Sequence, residues 1–97
     1  MWILKTGEGV EPSLTFRILP GNQKTIGRAP QAEFIVDAAL VSRVHCRVTG
    51  GATELEVVDL DSTNGTFVNG QRVDKRATLK AGDRLGVGRV ELIVESA

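Results

Sequence analysis

Cysteine is nearly absent from this sequence: Cys46 is the only one in 97 residues. No intrachain disulfide can form, and a reducing compartment, the cytoplasm, is the expected home. One cysteine and one histidine fall short of a zinc site, so no metal and no cofactor is expected. Tyrosine is missing, and the aromatics are only Trp2, Phe16, Phe34 and Phe67. That leaves little for stacking on bases. Net charge is missing too: 12 basic residues offset 12 acidic ones. A general nucleic-acid binder carries a net basic field, so nucleic acid is not an expected partner. No apolar run approaches the ~18 residues of a membrane span. The opening Trp2-Ile3-Leu4-Lys5 is too short for a signal peptide and lacks its basic lead. A membrane partner is not expected either.

What is present is an ordinary globular balance, 41% hydrophobic and 25% charged. Residues 1–97 suit one domain with one core. The last strand-like run reaches the end of the chain, which reads as a complete domain, and a small neutral domain is expected to be a monomer.

The apolar runs are short and closely punctuated. Trp2–Lys5 reads as a strand. Leu14, Phe16 and Ile18 alternate against Thr15, Arg17 and Leu19, the period of a half-buried strand. Gln23–Arg28 and Phe34–Val36 follow. Residues 37–42 read as a loop, with a helical turn open at Asp37–Leu40. Val44, Cys46 and Val48 fall on one strand face, which places His45, Arg47 and Thr49 on the other. Leu55 and Val57 alternate with Glu54 and Glu56. Asn69-Gly70 between Thr66–Val68 and Gln71–Val73 is a hairpin signal, because a type I′ turn needs positive φ at both positions. Val90, Leu92 and Val94 alternate with Glu91, Ile93 and Glu95. About ten or eleven short strands without a convincing helix predict an all-β sandwich or barrel.

Between these strands lie turns rich in phosphate-binding chemistry. Arginine offers a planar fork to two phosphate oxygens. Serine and threonine add hydroxyls, and turn amides add donors. Arg28 follows Gly27 at a strand end, Ser42 and Arg43 precede a long strand, and Thr63 and Asn64 sit in the turn after Asp59. The Asn64 amide can both donate and accept, which suits it to holding a peptide main chain. Each piece has a plainer reading. Either arginine alone is as readily a solvated surface residue. Ser62-Thr63-Asn64-Gly65 is also an ordinary turn composition. His45 reads as a structural residue whose ring ties loop backbones together, in preference to a general base. The argument rests on the set.

In order and spacing, Ile26-Gly27-Arg28, Ser42-Arg43-Val44-His45, Asp59 through Thr66 and Asn69-Gly70 resemble the forkhead-associated (FHA) family. Leu79, Gly82-Asp83 and Leu85 are similar to its closing segment. The resemblance covers nearly the whole chain. It implies a sandwich of two sheets with about eleven strands, ligand loops at one end and phosphothreonine peptides as partners. Carried over by position, Arg28 and Ser42 contact the phosphate, Arg43 adds a further contact, and Thr63 another through its backbone. Asn64 holds the peptide main chain. Gly27, His45 and Gly65 shape the loops. Asp61 stands where the family commonly has a small residue and reads as solvated. Leu40 stands where some members read the third residue after the phosphothreonine, and an apolar side chain there implies no acidic preference.

Two other functions compete. Ser42, His45 and Asp59 invite a catalytic triad, but no Gly-x-Ser-x-Gly elbow accompanies them. The alternation also predicts His45 facing out and the Cys46 thiol facing in, which separates that pair; an enzyme is not expected. The stronger alternative is a phosphate-independent protein-interaction module on the same sandwich.

Overall fold

The computed structural model describes residues 1–97 as two packed sheets. The strands are β1 (Trp2–Lys5), β2 (Thr15–Ile18), β3 (Gln23–Gly27), β4 (Phe34–Ile35), β5 (Cys46–Gly50), β6 (Leu55–Asp59), β7 (Thr66–Val68), β8 (Gln71–Arg72), β9 (Arg76–Leu79), β10 (Arg84–Val87) and β11 (Val90–Ser96). One sheet runs β2-β1-β11-β10-β7-β8 and the other β4-β3-β5-β6-β9. Every pairing is antiparallel except β3 with β4. The expected two-sheet all-β sandwich is what forms.

Alternation builds the core as read. Leu4, Ile18, Leu85, Val87, Leu92 and Val94 point in from one sheet. Ile26, Cys46, Val48, Leu55, Val57 and Leu79 meet them from the other. Each fully buried side chain of this size removes roughly 1.5–3 kcal/mol of apolar exposure. At one edge Phe16 of β2 stacks on Phe34 of β4, with ring centroids 4.5 Å apart. That contact closes the sandwich between the two sheets. Asn69 and Gly70 take φ of 51° and 82°, as the type I′ turn requires. The Asn69 side chain also ties the hairpin to the next turn, accepting from the Arg84 amide at 2.9 Å and donating to Asp83 at 3.2 Å.

One reading is corrected. His45 does not face out: it is fully buried, next to the equally buried Cys46, while Val44 is 43% exposed. The chain bends at 43–44, and β5 begins only at Cys46, so strict alternation does not extend back to Val44. Residues 37–42 form the expected loop, and the helical turn left open at Asp37–Leu40 does not form. The Val41 amide donates to the Ala38 carbonyl at 3.1 Å, which closes a single tight turn. β9 and β10, which carry no strong alternation of their own, complete the count of eleven.

The strand ends set the site. β3 ends at Gly27, β5 starts at Cys46 opposite Ile26, and β6 ends at Asp59 opposite Cys46. β10 ends at Val87, paired with Thr66 at the start of β7. The β3–β4, β4–β5, β6–β7 and β10–β11 connections therefore share one end of the sandwich.

Candidate functional site

Gly27 permits the closest approach in this region. A Cβ there would overlap the carbonyl oxygen of Arg43 and lie about 3.0 Å from the Val44 Cα. The β4–β5 loop crosses the end of β3 at that point. Main-chain bonds seal the crossing: Arg28 donates to Ser42 at 2.9 Å, Ala29 to Arg43 at 3.1 Å and His45 to Ile26 at 2.8 Å. Arg28 and Arg43 are thus held on neighbouring backbone.

His45 joins this loop to the β6–β7 turn. Its Nδ1 accepts the Ser42 amide at 3.0 Å. An amide donor requires an unprotonated Nδ1, so Nε2 carries the proton and donates to the Gly65 carbonyl at 2.8 Å. Both ring nitrogens are committed to backbone. His45 has no lone pair for a hydroxyl, and the triad reading fails on geometry. Cys46 is equally unavailable, because burial pushes its thiol up to about 12. No group of three or more His, Cys, Asp or Glu side chains is arranged to hold a metal ion.

Asp59 shapes the β6–β7 turn from inside. Its Oδ1 accepts the Ser62 and Thr66 hydroxyls, each at 2.6 Å, and its Oδ2 the Ser62 amide at 3.3 Å. Burial works to raise the carboxyl, but these bonds outweigh it and hold the group below its ordinary 3.8. The Ser62 hydroxyl in turn accepts the Gly65 amide at 3.1 Å. The turn is built before any ligand arrives. Asp61 takes a φ of 56° in it, and its side chain is exposed.

Three consecutive residues of the β4–β5 loop gather the site. The Leu40 carbonyl accepts Asn64 Nδ2 at 3.1 Å. The Val41 carbonyl accepts Arg28 Nε at 3.0 Å. The Ser42 hydroxyl accepts the Thr63 amide at 3.0 Å. Arg28, Ser42, Thr63 and Asn64, spread over 37 residues of sequence, meet on this one stretch, and Arg43 is the next residue along. The Thr63 amide donates to the Ser42 hydroxyl, and the Thr63 hydroxyl carries no hydrogen bond within the chain. Ser42 keeps its hydroxyl proton to donate. Asn64 keeps its carbonyl oxygen and one amide hydrogen.

The arginines are also free in charge. The chain's ion pairs are Lys5–Glu95, Lys24–Glu33, Arg76–Glu56 and Arg84–Glu91. None involves Arg28 or Arg43, and binding Val41 through Nε leaves both terminal nitrogens of Arg28 open. The site is an exposed surface and not an enclosed cavity, which suits a ligand presented on a chain. The neighbouring cleft, about 490 Å³, is lined by Asp59, Asp61, Ser62, Arg72, Val73 and Asp74. Three carboxylates against one guanidinium would repel a phosphate dianion.

Two partners of the loops escaped the sequence reading. The guanidinium of Arg72 fills the space that a Gly65 side chain would occupy, 3.1 Å from that Cβ position. Gly88, on the β10–β11 turn, meets the backbone of Leu40. Neither carries a local motif, because both act across the gap between sheets or loops.

Residues 24–88 match the family model of the FHA domain. The chain is 40% identical over 95 residues to the ABC transporter ATP-binding/permease protein Rv1747 of Mycobacterium tuberculosis, covering 96% of this chain and 10% of that protein. Among solved structures, it superposes on the FhaA FHA domain complexed with the intracellular domain of Rv3910, with a TM-score of 0.84 and 32% identity over 98% of this chain and 100% of that one. It also superposes on a chain from a study of phosphothreonine-dependent FHA domain interactions, with a TM-score of 0.81 and 31% identity over 99% and 96% of the two chains. The chain spans 10% of the length of that transporter and 42% of the glycogen accumulation regulator GarA of Mycolicibacterium smegmatis, to which it is 42% identical over 69 residues.

Proposed function

This chain is an FHA domain, a member of the forkhead-associated family, and on that premise we propose that it binds phosphothreonine in a partner protein and acts as a non-catalytic signalling adaptor. The observation that carries the reading is the convergence on Leu40–Val41–Ser42 of Asn64, Arg28 and Thr63, with no carboxylate on either site arginine. In this reading Arg28 grips the phosphate with its two free terminal nitrogens. The Ser42 and Thr63 hydroxyls donate to it, and Arg43 adds charge beside them. Asn64 holds the main chain next to the phosphothreonine with its free carbonyl oxygen and amide hydrogen. Gly27, His45 and Gly65 keep the loops in place and touch no ligand.

The test is calorimetric titration with a degenerate phosphothreonine peptide pool and its unphosphorylated twin, at pH 7.5 and fixed salt. The phosphorylated pool alone should bind, and Arg28→Ala should weaken it by about 2–5 kcal/mol, as for removing one member of a buried charge pair. Affinity should also weaken as pH falls through ~6, where the phosphate gains a proton. A partner captured equally well by wild type and Arg28→Ala, before and after phosphatase treatment, would instead establish the phosphate-independent module.

A further inference from the structure

We infer that Gly88, on the turn between β10 and β11, is a positioning residue of the phosphopeptide site and sets the place of the β4–β5 loop. This inference rests on the phosphothreonine reading and extends it to a fourth connection. A Cβ on Gly88 would stand 2.7 Å from the Leu40 carbonyl oxygen, 2.9 Å from its carbon and 3.3 Å from the Leu40 Cβ. Two of those contacts are with backbone, which cannot swing aside as a side chain does. The turn and the loop therefore meet main chain to main chain, and only a glycine leaves room.

The contact matters because of what Leu40 carries. The oxygen that a new Cβ would strike is the one that accepts Asn64 Nδ2 at 3.1 Å. The next carbonyl, of Val41, holds Arg28 Nε at 3.0 Å, and the next residue is Ser42. Displacing Leu40 moves the anchor of Asn64 and drags those of Arg28 and Ser42. Gly88 touches none of the ligand-facing groups itself.

Backbone freedom alone is not the reason for glycine here. Gly88 has a φ of 60°, a left-handed conformation, but Gly82 has a φ of 94° and nothing within 4 Å of its Cβ position. Alanine at residue 82 adds backbone strain without intrusion; alanine at residue 88 adds both. The pair separates loss of stability from loss of positioning.

The experiment compares wild type, Gly88→Ala and Gly82→Ala well below their melting temperatures. Amide NMR reads the Asn64 side-chain NH2 and the Ser42 backbone N–H. Calorimetry reads affinity for the phosphothreonine peptide pool, with the unphosphorylated pool as control. Gly88→Ala should move both resonances and weaken binding about tenfold, the scale of one misplaced charge-assisted hydrogen bond. Gly82→Ala should leave both unchanged even where its Tm falls. In an Asn64→Ala background, Gly88→Ala should cost less affinity than in wild type, because both changes act through Leu40. If Gly88→Ala does not fold, Gly88→Asn replaces it, since asparagine accepts left-handed backbone but still brings the extra carbon. Unmoved resonances, unchanged affinity, or an equal affinity loss in Gly82→Ala overturns the inference. If wild type binds neither pool, the phosphothreonine reading fails, and the two resonances alone decide whether Gly88 holds the loop.

Discussion

His45 donates from Nε2 to the carbonyl oxygen of Gly65 at 2.8 Å, across 20 residues of sequence. With Nδ1 taken by the Ser42 amide, one buried ring fastens the β4–β5 loop to the β6–β7 turn. Replacing it leaves the part-buried Ser42 amide and the buried Gly65 carbonyl without partners. His45→Ala should cost about 2–6 kcal/mol, from two unsatisfied groups at roughly 1–3 kcal/mol each. Urea denaturation should show a lower midpoint at unchanged slope. A loss below 0.5 kcal/mol would mean that water takes over both bonds (about the scale of a neutral surface change).

Arg28 is held through Nε by the Val41 carbonyl, which aims its two terminal nitrogens outward. Lysine has no Nε and no fork. Arg28→Lys should therefore retain charge but lose most of the affinity that Arg28→Ala loses. Recovery of near-native affinity by lysine would show that only the charge matters.

Asp59 gives the fold an acid limit. Its folded-state value lies below the ordinary 3.8. For a lowered carboxylate, the stability contribution is present above the unfolded value and drains away as pH falls through the folded one. Asp83 is lowered as well, by bonds from the Lys80 amide and the Asn69 side chain. Stability should thus decline as pH drops below ~4. Asp59→Asn should flatten that decline without abolishing it, and lower stability at pH 7 by about 1–3 kcal/mol through weaker bonds to Ser62 and Thr66. Thermal midpoints across pH 2–7 (roughly the span of carboxylate titration) are the measurement, and parallel curves for the two proteins would contradict it.

Cys46 is buried between the sheets, and burial pushes its thiol up to about 12. At pH 8, almost no thiolate exists to react in the native protein. Iodoacetamide should modify it only as the domain opens, with protection lost in denaturing urea. Rapid labelling of native protein would contradict its place in the core.

Leu40 is half-buried and offers no charge to a ligand. A phosphothreonine peptide array varied at the third position after the phosphoresidue should show no gain for aspartate. Leu40→Arg should create that gain. An aspartate preference in the wild type would mean that another cation reads the position.

The loops were legible in the sequence because their chemistry is local. A type I′ turn demands Asn-Gly on its own account, and both residues take the expected φ. Ser62 and Thr66 reach Asp59 within one turn, so the whole bonding pattern lies in eight residues. The alternation of Leu55 with Glu56, or Leu92 with Glu91, follows from strand geometry alone. These features pointed to an all-β chain with arginines, hydroxyls and an asparagine at its turns, before any question of which turns meet.

The meeting was a matter for tertiary structure, since it depends on strand order. Alternation placed His45 outside, but the backbone bends at residues 43 and 44 to cross Gly27, and the bend turns the ring inward. Thr63 lies 21 residues from Ser42 in sequence, and only the fold brings its amide within 3.0 Å of the Ser42 hydroxyl. Gly88 looks like any turn glycine, and only the packing of β10–β11 against Leu40 gives it a neighbour. A residue's type states which bonds it can make, and local spacing supplies partners within a few positions. Partners 20 or 40 residues away are supplied by sheet topology, through burial summed over both faces of the core.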